Sequence, residues 1–220
     1  MSRIRFRRVL LAPAMALALA ALPCHAAAAG AYVTVFGGAT FQNDQAFDFR
    51  DGAASERGDA GLQGSFASGA TLGYGWANGW RLEGEFAYQS VDRDDGTFTD
   101  AGPTGDGNYA STSVAVSAIY EFNALGSDSV RTYVGAGLAY LTEVDADFES
   151  GGGERSFSGD GFGVQLVAGA RYDLGERWFV DAGLRYLTAG NLDLDEEGGG
   201  ASIRADYSPW TVVLALGWRF

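Results

Sequence analysis

Lysine is absent from all 220 residues, and cysteine and histidine occur once each, side by side as Cys24 and His25. Both fall in an N-terminal stretch, residues 1–26, that reads as a secretory signal. Arg3, Arg5, Arg7 and Arg8 form its positive start, 9–22 its apolar run, and Cys24-His25-Ala26 a small-x-small cleavage site. Cleavage within 26–29 is the alternative. Leu22-Pro23 departs from the small residues that a lipid-modified Cys24 would need before it. Once the signal is removed, residues 27–220 contain neither thiol nor imidazole, which excludes a disulfide framework and histidine-based acid–base or metal chemistry. Also missing is any later run approaching the ~20 apolar residues of a transmembrane helix. Positive charge is scarce as well. Fifteen arginines less the four in the signal leave eleven against 28 acidic residues, and the formal charge of −13 becomes about −17. With no basic cluster to neutralise phosphates, nucleic acid is excluded as a partner.

The chain does have alternation of side chains at period two, clearest at its end. In 210–220 the residues Trp210, Val212, Leu214, Leu216, Trp218 and Phe220 share one face of a strand, and Thr211, Val213, Ala215, Gly217 and Arg219 share the other. An apolar face with tryptophan near both ends suits a strand that meets lipid and places aromatic residues at both interfaces. An edge strand of a soluble sandwich is the alternative for this stretch alone.

Seven further strands are expected. They are 31–41, 66–76, 80–88, 110–122, 130–143, 162–174 and 177–188. The sharpest contrast is in 80–88, where Trp80, Leu82, Phe86 and Tyr88 oppose Arg81, Glu83 and Glu85. Short connections at 77–79, 123–129 and 175–176 alternate with long stretches at 43–64, 92–107, 145–160 and 190–206, whose Asp, Gly and Ser content reads as loop. Eight strands joined long, short, long, short describe an all-β, antiparallel, up-and-down transmembrane β-barrel with both termini at the short-turn, periplasmic end. Closure removes sheet edges that hydrocarbon would not tolerate. A soluble ligand-binding barrel of lipocalin type is the competing fold. It would turn Gly73, Gly75, Gly135, Gly137, Gly169, Gly183 and Gly217 to water for no benefit.

Three stretches, Gly73-Tyr-Gly-Trp-Ala-Asn-Gly-Trp-Arg-Leu-Glu-Gly-Glu-Phe-Ala-Tyr88, Tyr133-Val-Gly-Ala-Gly137 and Trp218-Arg-Phe220, resemble the small bacterial outer-membrane β-barrel family. The OmpA transmembrane domain, OmpX and the Opa adhesins belong to it. The resemblance implies an integral outer-membrane protein surrounded by lipid and lipopolysaccharide. It also implies that Leu216, Trp218 and Phe220 are the signal read by the barrel-assembly machinery. The peptidoglycan-binding domain that follows the barrel in OmpA proteins is expected to be absent.

The inward face mixes small residues with both signs of charge: Arg81, Arg131, Arg171, Arg177, Arg185 and Arg219 against Glu83, Glu85, Glu121, Glu143 and Asp181. An eight-stranded interior is only wide enough for side chains to fill, and buried charges there must be paired. Arg81, Glu83, Glu85, Glu121, Arg131, Arg171, Asp181 and Arg185 are therefore expected to form a lumen charge network rather than a catalytic pair at Glu83 and Glu85. No nucleophile and base stand at useful spacing, so neither enzyme activity nor a cofactor is expected. Asp193-x-Asp195-x-Glu197 has the start of a calcium loop, but Arg204 stands where its bidentate glutamate should be. These three remain weak divalent-cation candidates beside lipopolysaccharide phosphates, and acidic loops kept soluble are the plainer reading. Phe47, Phe49, Phe98, Phe148 and Phe157 are either contacts for an extracellular protein or inward anchors of the loops. Function is expected to be structural, adhesive or host-directed, with a narrow solute channel as the alternative.

Overall fold

A computed structural model describes residues 29–41, 45–51, 54–62, 65–97, 105–127, 129–150, 153–196 and 198–220. The expected signal at 1–26 lies outside the described residues. The strands are β1 (Gly30–Phe41), β2 (Gln45–Asp51), β3 (Ala54–Leu62), β4 (Ser65–Gly75), β5 (Trp80–Thr97), β6 (Gly105–Phe122), β7 (Val130–Ser150), β8 (Gly153–Asp173), β9 (Trp178–Glu196), β10 (Ser202–Tyr207) and β11 (Trp210–Arg219). All pairings are antiparallel, and the sheet closes on itself. β1 pairs with β4 on one side and with β11 on the other, so the first and last strands seal the wall. The ring β1–β4–β5–β6–β7–β8–β9–β11 is the eight-stranded barrel.

Local chemistry sets the turns. At the Asn78-Gly79 turn, Gly79 takes φ +86°, and the Asn78 Oδ1 accepts from the Trp80 amide at 3.2 Å. The Trp76 amide donates to the Trp80 carbonyl at 2.8 Å, closing the hairpin. At the same end of the barrel the Phe220 amide donates to the Ala31 carbonyl at 3.1 Å.

The outward face of this ring is apolar. Val35, Leu72, Leu82, Phe86, Val116, Leu138, Leu166, Leu184, Leu214 and Leu216 are all exposed. Aromatic residues bound it on both sides. At the short-turn end Tyr74 meets Trp76, Trp80 meets Tyr120, and Trp178 meets Trp218, with ring centroids 5.2, 5.2 and 4.6 Å apart. At the other end Tyr140 meets Phe162 at 4.8 Å and Tyr186 meets Trp210 at 4.5 Å. Trp210 and Trp218 lie on one strand; at ~3.3 Å per residue and a tilt near 40° the girdles are about 20 Å apart, close to the apolar band of an outer-membrane barrel.

The strands run well beyond that band. β7 and β8 have 21 residues each, about 50 Å of height at the same tilt. The stretches 43–64, 92–107, 145–160 and 190–206, expected as loops, are strand over much of their described length. Even the 151–153 glycine run is flanked by paired strand, with Ser150 opposite Gly153. Their Asp and Gly content argues against strand in isolation, but a ladder on each side overrides propensity. Above the barrel β2, β3 and β10 take the places of β1, β4 and β11: β10 pairs with β2, β2 with β3, β3 with β5, and β10 with β9. A second closed ring thus stands on the first.

β-bulges join the two rings. β7 carries an extra residue between Leu141 and Val144 relative to both neighbours, and β9 carries one between Ala189 and Leu192 relative to β10. Each extra residue moves the following side chains to the opposite face. Glu143, expected to point inward, is consequently exposed, and Val144 is buried in its stead. Arg177, also expected inward, is exposed in the β8–β9 turn, with its guanidinium 5.5 Å from the Trp218 ring.

Candidate functional site: the barrel lumen and its outer extension

Inward positions of β5, β6, β7, β8, β9 and β11 bring most of the charges into one cluster near the short-turn end. Arg171 lies among three carboxylates: Asp181 at 3.3 Å, Glu121 at 3.5 Å and Glu83 at 3.7 Å. Arg81 is paired with Glu83 at 3.2 Å and with Glu121. Arg131 reaches Glu121 at 3.5 Å and Asp173 at 2.6 Å, and Arg219 also pairs with Asp173. Higher in the lumen Arg185 and Glu85 form a separate pair at 2.7 Å. All eight residues expected in the network thus face the lumen and are ion-paired. Glu83 and Glu85 are each held by their own arginine rather than by one another. Asp173 was not among the expected residues, although it shares parity with Arg171 two positions earlier. With Asp173 and Arg219 included, and Glu143 and Arg177 outside, five arginines face five carboxylates.

Aromatic rings organise the cluster, a feature that side-chain alternation alone does not disclose. Arg171 stacks on Phe179 at 4.0 Å and on Tyr32 at 4.6 Å; Arg81 stacks on Tyr133 at 4.3 Å; Arg185 on Phe36 at 4.0 Å; Arg219 on Phe179 at 4.7 Å. Tyr32 donates to Glu83, and Tyr133 donates to Asp181. Each of these rings faces a glycine directly across the ladder: Tyr32 opposite Gly73, Phe36 opposite Gly69, Tyr133 opposite Gly169, Phe179 opposite Gly217. A Cβ at Gly217 would lie 2.1 Å from the Phe179 ring, and one at Gly73 2.2 Å from that of Tyr32. These four glycines are therefore the spaces into which the rings fold.

Above the charges lies a layer of neutral polar groups. Thr40 and Thr211 share a hydrogen bond at 3.2 Å, Gln89 donates to Thr211 at 3.3 Å, and Tyr207 donates to the Gln89 carbonyl oxygen at 2.7 Å. Above that, Leu141, Val144, Phe157, Leu192, Leu194 and Ile203 pack into an apolar core inside the second ring. Phe157 is thus an inward anchor. The other loop phenylalanines, Phe47, Phe49, Phe98 and Phe148, have no described side chain. The alternation Leu192-Asp193-Leu194-Asp195 was the signal for this core. Its leucines face in and its aspartates face out. Tyr207, buried at the junction outside the apolar band, has its phenol pushed well above the ordinary range by desolvation.

Two cavities lined by described residues of the charge cluster are small. A cavity among Thr34, Thr71, Arg81, Glu83, Arg171 and Asp181 measures about 20 Å³, space for about one water. Another, beside Glu121 and Arg131, measures about 10 Å³.

The cation candidates Asp193 and Asp195 are exposed on the outer face of β9. Asp193 is bound by Arg204 at 2.7 Å, and Glu197 lies outside the described residues. Among the described residues no three His, Cys, Asp or Glu side chains gather in a metal-holding group. Leu216 and Phe220 are exposed on the lipid side, with Trp218 packed on Trp178 beside them.

A closed antiparallel barrel with an apolar exterior, two aromatic girdles and a charged, packed interior defines an integral outer-membrane β-barrel. Residues 9–220 match the model of the outer membrane protein beta-barrel domain, and the chain belongs to that family. It is similar in structure to neisserial surface protein A (18% identity, TM-score 0.50, covering 87% of this chain and 99% of that one). It is also similar to the outer membrane protein AlkL (17%, 0.51, 90% and 94%) and to Escherichia coli outer membrane protein W (23%, 0.48, 87% and 98%). At these identities the likeness concerns the fold. A search of curated proteins finds no match.

Proposed function

We propose that this outer-membrane barrel neither conducts nor catalyses, and that its working part is the ring standing beyond the outer girdle, a surface for contact with other cells, a host or the environment. The observation that carries this reading is the filling of the lumen at successive levels: paired charges, hydrogen-bonded hydroxyls and amides, then an apolar core. Such an interior has the character of a rigid pedestal. The catalytic alternative is disfavoured because Glu83 and Glu85 are each neutralised by an arginine. In this reading the termini and short turns are periplasmic and the second ring is extracellular. Lipid and lipopolysaccharide surround the barrel, and Leu216, Trp218 and Phe220 serve the assembly machinery. Osmotic swelling of liposomes tests the proposal. Vesicles containing the folded protein should swell in glycerol or arabinose no faster than empty ones. Faster swelling that scales with protein content would put the narrow solute channel in its place.

A further inference from the structure

A groove of about 720 Å³ opens on the lipid-facing wall across β8, β9, β11 and β1, within the ~300–1,000 Å³ range of ligand sites. Its position follows from the register. Ala182 is opposite both Ala170 and Leu214, and Leu214 is opposite Gly37, so one row across four strands reads Ala, Ala, Leu, Gly. Three small residues in that row leave the hollow. The next row toward the short turns is bulkier: Tyr172, Val180, Leu216 and Val35. Beyond it come Trp178 and Trp218. From Trp178 to Ala182 is about 10 Å of depth at ~3.3 Å per residue and a tilt near 40°, which fits within one leaflet of a ~30 Å hydrocarbon core.

Arg177 stands at the turn below this groove, exposed and against the Trp218 ring. The other arginines with described side chains, at 81, 131, 171, 185, 204 and 219, all have a carboxylate partner. Among the described residues Arg177 has none. Glu176, exposed beside it, makes no described ion pair either. A phosphate beside Arg177 would supply the missing charge, and an ammonium on the same molecule would suit Glu176.

We propose that groove and turn together bind one zwitterionic phospholipid. An acyl chain lies over Gly37, Ala170 and Ala182, the ester region sits level with Trp178 and Trp218, and the headgroup phosphate rests on Arg177. The site depends on the short turns meeting a phospholipid leaflet, as in the orientation proposed above, and not on whether the lumen conducts.

The test is native mass spectrometry of the folded protein in detergent, titrated with dipalmitoyl phosphatidylethanolamine. One lipid per barrel should be retained. Arg177→Gln should lower retention about fivefold, the effect of roughly 1 kcal/mol for one exposed arginine–phosphate contact. Ala182→Phe, which fills the groove, should lower it similarly. Ala118→Phe, outward-facing on β6 and away from the groove, should leave it unchanged. These substitutions lie on exposed positions, and heat-modifiable gel migration reports whether each variant is folded. Equal retention in wild type, Arg177→Gln and Ala182→Phe would overturn the site, as would an equal loss in Ala118→Phe. Preferential retention of lipid A that is lost in Arg177→Gln would overturn the phospholipid assignment and, with it, the orientation.

Discussion

Removing Arg171 should be far more damaging than its single charge suggests, and the distances show where the cost falls. Glu83, 3.7 Å away, still has Arg81 and the Tyr32 hydroxyl; Glu121, 3.5 Å away, still has Arg81 and Arg131. Asp181, 3.3 Å away, keeps the Tyr133 hydroxyl as its direct hydrogen-bond partner and only the longer-range field of Arg81. Arg171→Ala therefore leaves Asp181 without a direct ion pair in a packed interior and removes the cation stacked on Phe179 and Tyr32. Breaking a buried pair in this way costs about 3–5 kcal/mol. Arg171→Ala with Asp181→Asn removes both charges and should recover about 1–3 kcal/mol, a coupling typical of contacting residues. Urea unfolding in lipid vesicles, followed by heat-modifiable migration and tryptophan fluorescence, measures both variants. If the single and double variants lose equal stability, or if Arg171→Ala costs less than about 1 kcal/mol, the pairing has no energetic reality and the reasoning fails.

Leu214→Arg puts a cation on the lipid face near mid-depth and should cost about 2–4 kcal/mol in the same unfolding assay; Leu214→Phe should be near neutral. Gly217→Val forces a side chain into the Phe179 ring and should cost about 1–3 kcal/mol. Adding Phe179→Ala should return part of that loss if contact with the ring is the cause. Phe157→Ala, in the apolar core of the second ring, should cost about 3–5 kcal/mol and should loosen the outer ring before the barrel, seen as earlier protease cleavage within β2, β3 and β10. Epitope tags after Gly58, Gly105, Gly152 and Gly199 should be labelled on intact cells and a tag at Asn78 should not; the reverse pattern would invert the topology.

The parts of this fold written in local alternation were legible. Trp80, Leu82, Phe86 and Tyr88 face lipid, and Arg81, Glu83 and Glu85 face the lumen, because period two needs no tertiary context within one ladder. That parity fails wherever a bulge adds a residue, and nothing near Thr142 or Gly190 announces one. Glu143 was misplaced for that reason, and Leu192 and Leu194 passed for loop residues. Arg177 was misplaced by only one residue, since β9 begins at Trp178 and the turn before it has no parity. Phe36 and Phe179 went unrecognised for another reason. An inward ring looks out of place on a polar face until the glycine opposite it, at 69 or 217, is known, and that partnership is set by register alone. The second ring was hidden because its strands are Asp- and Gly-rich and are held by neighbours distant in sequence, as with Ile203 opposite Phe49.

The proposed closure of the lumen is tested most directly by single-molecule conductance of the wild-type protein in a planar bilayer. Insertion should be verifiable by folded protein recovered from the membrane, yet on the proposed reading the current should stay at baseline, with the paired arginines and carboxylates, the hydroxyl and amide layer and the apolar core standing in the way of a continuous aqueous path. A steady, ion-selective conductance would contradict this. The same arginines and glutamates would then have to line a pore rather than close one.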